Sequence, residues 1–149
     1  MTSKCAKWGF PGTYVPLPDL ISTTGPLNCF MTGFTQAADI ISVSVYASKT
    51  GTGTGTGTLL GSISGGGNKG SLAAMSNFAF TITSGKQYYA VVTTNGGQTP
   101  RVLYSFDDNS YEGTTYAGTC SLCVEDRPST GDCDFNDAVV SISWTLNAK

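Results

Sequence analysis

Between Glu125 and Asp137 the chain runs Glu-Asp-Arg-Pro-Ser-Thr-Gly-Asp-Cys-Asp-Phe-Asn-Asp, gathering five of the protein's ten acidic residues into thirteen positions with Arg127 as their only cation. Carboxylates crowded this closely repel one another, and burying them together forces some to take up protons unless hard cations neutralise them. Asp, Glu and Asn offer oxygen alone, and calcium accepts about six to eight oxygens in a forgiving geometry. Histidine is absent from the whole chain. Zinc or copper would therefore depend on thiolates, and Cys120 and Cys123 make one close pair with no second pair at matching spacing. The stretch is not an EF-hand. Counted from Asp132, the sixth position is Asp137 where that loop needs glycine, and the twelfth is Ser143 where it needs a bidentate glutamate. Calcium is the expected cation.

The elements that must hold such a loop are strands. After it, Val140, Ile142, Trp144 and Leu146 alternate with Ser141, Ser143 and Thr145, the pattern of a half-buried strand over Ala138 to Leu146. Ile41, Val43, Val45 and Ala47 alternate with Ser42, Ser44 and Tyr46 in the same way. Further strands are expected over Phe30 to Thr35, Leu59 to Ser64, Asn77 to Thr83, Gln87 to Thr94, Arg101 to Phe106 and part of Thr115 to Val124. Ser84-Gly85-Lys86 and Asn95-Gly96-Gly97 have the composition of hairpin turns. The strict Thr-Gly alternation from Thr50 to Thr58 is too short for a functional ladder and is taken as a flexible hairpin connection. Asp107-Asp108-Asn109 is taken as a turn tip, where Asp and Asn bond their own backbone, rather than as a further metal site. No segment holds a helical period, which leaves a sandwich or a Greek-key barrel. The fold class expected is all-β, an antiparallel Greek-key β-sandwich of about nine strands.

A chain of 149 residues with 40% apolar content is one domain over 1–149, large enough to bury a core without staples. Residues 1–16, rich in aromatics, proline and glycine, are expected to form an arm covering a core edge, and an exposed Trp8 would raise the question of a glycan platform. A net charge of −2 argues against nucleic acid or an anionic membrane as partner. No apolar run approaches the roughly eighteen residues of a bilayer span. The first residues lack the apolar stretch of a secretory signal, so cytoplasmic synthesis with unconventional release, cell-surface association, or a mature form with an added Met1 are the expectations for localisation. Five cysteines are an odd number, and a Cys120–Cys123 or Cys123–Cys133 bridge is open beside plain thiols.

Glu-Asp followed by Asp-x-Asp-Phe-Asn-Asp-Ala-Val-Val-x-Ile-x-Trp resembles the C-terminal segment of the two-calcium bacterial lectins typified by the fucose-binding lectin of Pseudomonas. Thr32-Gly-Phe-Thr-Gln-Ala-Ala-Asp39 and the following Ser42-Val-Ser-Val45 look like that family's specificity loop and its next strand, and the resemblance spans about residues 30–147. It implies two neighbouring calcium ions that share carboxylates and directly bind the vicinal hydroxyls of one monosaccharide. On this chain Asp134 and Asp137 would bridge the ions, Glu125 and Asp132 would hold one of them, and Asn136 with the backbone carbonyl of Gln36 would hold the other. The charge of Glu125, Asp132, Asp134 and Asp137 then matches that of two calcium ions.

The same resemblance makes Ala37, Ala38 and Asp39 the specificity residues, favouring mannose with fucose second, and gives Asp126 a hydrogen bond near the sugar ring. The sugar-facing set is completed by Asp132, Asp134, Asn136 and Asp137. Two departures stand out. Arg127-Pro-Ser-Thr-Gly131 lengthens the segment between the acidic pair and the next ligand, and Asn147 stands where the family ends in a glycine whose carboxylate reaches a partner's calcium, so that either Asn147 donates a side-chain or backbone oxygen to that ion or the cross-subunit ligand is gone. A homodimer or higher homo-oligomer is expected from the resemblance.

Three classes of function compete. The first is a non-enzymatic, calcium-dependent carbohydrate-binding lectin for mannose- or fucose-type glycans. The second is a calcium-stiffened structural or adhesive β-domain without direct sugar coordination. The third, a glycosidase using Asp132 and Asp137, is disfavoured because carboxylates clamped on calcium stay ionised and no histidine is present to activate a nucleophile.

Overall fold

The computed structural model describes residues 5, 7–18, 20, 26–48, 57–68, 70–83, 86–130 and 132–146. Its elements are β1 (Phe10–Pro11), β2 (Val15–Pro16), β3 (Leu27–Thr35), β4 (Ile40–Ala47), β5 (Thr58–Gly66), β6 (Ala73–Ala74), β7 (Phe78–Ile82), β8 (Tyr88–Thr94), β9 (Arg101–Tyr111), β10 (Thr114–Glu125) and β11 (Ala138–Leu146). They form two antiparallel sheets packed as a sandwich. The larger runs β1-β9-β10-β11-β3, with β6 and β7 sharing the outer edge of β3, and the smaller runs β2-β8-β4-β5. Against the expected nine or so strands, the described residues form eight of five residues or more and three of two residues.

The alternation written in the sequence decides which side of each strand is inside. Ile41, Val43, Val45 and Ala47 of β4 face Val140, Ile142 and Trp144 of β11 and Cys120, Leu122 and Val124 of β10, all buried. Across the larger sheet Val124 pairs with Val102 and Ala138, and Ala138 with Thr35, so the inner row at this end is continuous. Gly118 sits under Trp144, where a Cβ would stand 2.5 Å from the indole ring.

The N-terminal arm borders both sheets. Phe10 pairs with Val102 at the edge of the larger sheet, Val15 with Ala90 at the edge of the smaller, and Leu17 and Leu20 are fully buried. Tyr14 and Tyr46 flank Tyr89 with ring centroids 5.0 and 5.4 Å away, so Tyr89 is buried on a face that a two-layer sandwich would otherwise leave wet.

Three expectations need correction or relocation. Asp107, Asp108 and Asn109 are not a turn tip: they lie within β9, paired with Thr119, Gly118 and Ala117. The turn comes later, at Glu112 and Gly113, whose positive φ values of 49° and 80° suit a two-residue hairpin. Asn95 to Gly97 does turn the chain but carries it from the smaller sheet to the larger rather than closing a hairpin. Of the Thr-Gly connection, residues 50–56 lie outside the described residues, as do 84–85 of the Ser84-Gly85-Lys86 turn; β4 and β5 pair antiparallel up to Ala47 and Thr58 on its flanks.

Candidate metal and ligand site

β10 ends at Glu125 and β11 begins at Ala138, so the acidic stretch is the connection between two paired strands at one end of the larger sheet. Its two ends are pinned: Asp137 N–H donates to the Val124 carbonyl at 3.1 Å, and Gln36 N–H donates to the Asp137 carbonyl at 3.0 Å. Between Asp132, Asp134 and Asn136 lie Cys133 and Phe135, both left-handed with φ of 62° and 54°. A non-glycine residue in that region is uncommon, and two in alternation coil the loop. The coil leaves Asp132, Asp134 and Asn136 exposed and turns Phe135 inward, to 5% exposure.

The consequence is convergence of oxygen. Carboxylate oxygens of Glu125, Asp126 and Asp137 lie within 4.8 Å of one another, and those of Glu125, Asp132 and Asp134 do the same, so Glu125 belongs to both groups. Glu125 is buried; its Oε1 accepts the Cys133 N–H at 3.2 Å, while Oε2 is buried with no hydrogen-bond partner. The Asp126 N–H donates to Asp137 Oδ2 at 3.1 Å, and the N–H groups of Asp134 and Asn136 lean on Asp132 Oδ1 and Asp134 Oδ1, each at 3.4 Å.

Without a cation this arrangement holds protons. Burial, then contact with and repulsion by Asp137 and repulsion by Asp132, push the Glu125 carboxyl up to about 8. Burial and Asp137 push Asp126 up to about 7. Asp134 is also raised, through burial first and its contact with Asp132 second. Two facing carboxylates can share a hydrogen bond only if a proton lies between them, which is why facing Asp137 raises Glu125 and Asp126.

The donor set tests well against a hard divalent cation: every side-chain ligand atom is oxygen, and one of them, Glu125 Oε2, is buried without a hydrogen-bond donor. The described residues that would hold such ions are Glu125, Asp132, Asp134, Asn136 and Asp137, with Gln36 adjoining through its backbone. Asp126, expected near a sugar ring, is 6% exposed, stands among the carboxylates and lines the cleft beside them. Asn147 lies outside the described residues.

The loop from Gln36 to Asp39 forms the opposite wall. Ala37 is buried in the hydrophobic core. Ala38 is exposed and lines a cleft of about 240 Å³ together with Glu125, Asp126, Arg127, Asp132 and Asp137. Asp39 is buried and bound side-on by Arg127, Nε to Oδ2 at 2.8 Å and Nη2 to Oδ1 at 2.7 Å. That guanidinium holds the Asp39 carboxyl below its usual range. Gly96 lies against the Asp39 carboxylate, on ground a Cβ would occupy.

Sequence reasoning missed the supports of the loop. Cys133 is bridged to Cys5, with Cα atoms 6.0 Å apart, rather than to Cys123. Cys120 and Cys123 are not bridged to each other: their side chains fall on opposite faces of β10, Cys120 buried against the Ile142 carbonyl. Trp8 is 52% exposed and stacks on Phe135 at a centroid distance of 6.1 Å, and Arg101 donates to the Trp8 and Gly9 carbonyls at 2.9 and 2.7 Å. The signal for Cys5 was available only as an unpaired count, since nothing local marks a partner so far away in the chain.

The antiparallel sandwich is shared with solved bacterial lectins. One is the Chromobacterium violaceum lectin CV2L, solved in complex with alpha-methyl-fucoside; it shares 18% identity with this chain at a TM-score of 0.55, over 90% of this chain and 96% of the lectin. The high-affinity mannose-binding lectin of Ralstonia solanacearum gives the same identity, TM-score and coverage. At this identity the likeness establishes the fold. No family model matches the sequence, and no curated protein does.

Proposed function

We propose that the protein is a non-enzymatic, calcium-dependent lectin that takes mannose-type monosaccharides in preference to fucose, through two calcium ions caged by the loop from Glu125 to Asp137. The observation that carries this is the shared position of Glu125 in two carboxylate groups, with Oε2 buried and unpartnered. A loop kept only for its own stability would not gather carboxylates that push one another toward protonation.

Calcium, when bound, neutralises the carboxylates and offers vicinal hydroxyl oxygens a place in its coordination shell. The chain's residues do the rest. Glu125, Asp132, Asp134, Asp137 and Asn136 hold and space the ions, and the backbone of Gln36 closes the wall. Ala38 bounds the cleft without a competing hydroxyl or charge, which leaves room for a pyranose. Asp126 tunes the cage through its contact with Asp137. The sugars named for the two solved lectins, one fucoside and one mannose, support the same ligand class. Self-association, with Asn147 supplying an oxygen to a partner's calcium, belongs to the same proposal, and sedimentation with and without calcium tests it.

One observation favours the second reading, a domain that calcium merely stiffens. Ala37 is in the core and Asp39 is taken by Arg127, so of the three expected specificity residues only Ala38 faces the cleft. Titrating methyl mannoside into calcium-loaded and chelated protein separates the two. Binding with calcium alone is expected, and a calcium-dependent rise in melting temperature with no response to any monosaccharide would establish the stiffened domain.

A further inference from the structure

We infer that the Cys5–Cys133 bridge is a positioning device for the cation loop, and that its reduction weakens calcium binding, making the site redox-responsive. The inference rests on the calcium reading above and adds a control that the cage residues do not contain.

Cys133 lies between Asp132 and Asp134, and its N–H is the donor that orients Glu125 Oε1. Orienting one carboxylate oxygen fixes the carboxylate that both acidic groups share and leaves the other oxygen, Oε2, buried without a hydrogen-bond partner. The position of that N–H depends on Cys133 remaining left-handed, a conformation disfavoured for a non-glycine residue unless its surroundings hold it. The constraint comes from the arm. Cys5 is 1% exposed, its N–H reaches the Pro128 carbonyl, and Trp8 covers Phe135 two residues beyond Cys133. The arm itself is clamped to the larger sheet by Arg101 and by the pairing of Phe10 with Val102.

The bridge therefore ties the loop to the arm at the sheet edge, across a separation of 128 residues. No other disulfide occurs among the described residues. Cutting it removes the covalent tie held at Cys133, between Asp132 and Asp134, where the hydrogen bonds that oppose repulsion among Glu125, Asp132 and Asp134 are 3.2 to 3.4 Å long. The chemistry is thiol–disulfide exchange with a dithiol. One thiolate of the reductant attacks a bridge sulfur and releases the first cysteine as its thiolate; the second thiolate then attacks the mixed disulfide and releases the other cysteine. Cys5 and Cys133 end as thiols, each taking one proton, and the reductant ends as its own disulfide.

Calcium titration calorimetry on the whole chain tests this, with the wild type oxidised, the wild type treated with dithiothreitol, and Cys5→Ser, each shown to be folded by far-ultraviolet circular dichroism at the working temperature. Thiol titration confirms that the bridge is open. The expected result is a calcium affinity about 10- to 100-fold weaker in the reduced wild type and in Cys5→Ser, the range typical of lost outer support for metal ligands. Cys5→Ser should show no further response to the reductant. At saturating calcium, methyl mannoside affinity should return to near the oxidised value, a recovery that general unfolding would not give. Equal calcium affinity with the bridge open and closed overturns the inference while leaving the calcium site standing. Absence of calcium binding in the oxidised wild type overturns both.

Discussion

Arg127 and Asp39, 88 positions apart, meet in a side-on ion pair that joins the cation loop to the wall facing it. Asp39 is buried and Arg127 half exposed, so the arginine acts as a lid on a carboxylate that the fold has taken out of water. The pair sets the distance between the two walls of the cleft, and Gly96 keeps the space behind Asp39 open.

Arg127→Ala should destabilise the protein at neutral pH, because Asp39 is left buried without its donor. The Asp39 carboxyl is held below its ordinary value of 3.8, so this stabilisation is present above that value and lost as pH falls through the lower folded value. Urea midpoints of the variant and the wild type should differ at neutral pH and converge in strong acid. A gap that persists there would mean that Arg127 stabilises by packing alone.

For chelated protein the pH dependence runs the other way. Glu125 moves from 4.5 to about 8 and Asp126 from 3.8 to about 7 on folding, so the folded state binds protons more tightly than the unfolded chain. Metal-free stability should therefore fall as pH rises across that window, and calcium should restore progressively more of it. Melting temperatures at pH steps through the window, with calcium and with chelator, check this; a chelated curve that rises with pH would contradict it.

Glu125→Gln keeps the size of the side chain and removes the charge common to both acidic groups. The chelated variant should be more stable than wild type above pH 8, where Glu125 loses its proton. Its calcium affinity should fall at least about tenfold. Opposite signs from one substitution distinguish a metal ligand from a structural hydrogen-bond acceptor, and parallel losses would refute the ligand role.

Gly118→Ala would drive a methyl group into the Trp144 ring, 2.5 Å from the nearest indole carbons. The expected cost is about 1–3 kcal/mol by denaturant titration, the usual range for overpacking a filled core. Calcium affinity should be unaffected, since Gly118 lies well down β10 from Glu125.

The strands and the loop were legible because both depend on short-range pattern. β11 begins and ends where its alternation does, at Ala138 and Leu146, and β4 differs from its expected span by one residue, Ile40. The oxygen-only donor set between Glu125 and Asp137 was equally plain. What escaped was non-local. Asp107 to Asn109 have poor strand propensity, yet pairing with β10 carries β9 through them to Tyr111. Neither Cys5 nor Asp39 has a neighbour in sequence that announces Cys133 or Arg127 as its partner.

The central claim is that sugar is held through calcium. Methyl mannoside and methyl fucoside, titrated calorimetrically into calcium-loaded and chelated protein with bound ions counted by atomic emission, test it most directly. The account predicts two calcium ions per chain, saccharide binding in their presence with mannoside ahead of fucoside, and none after chelation; saccharide binding unchanged by chelation would contradict it.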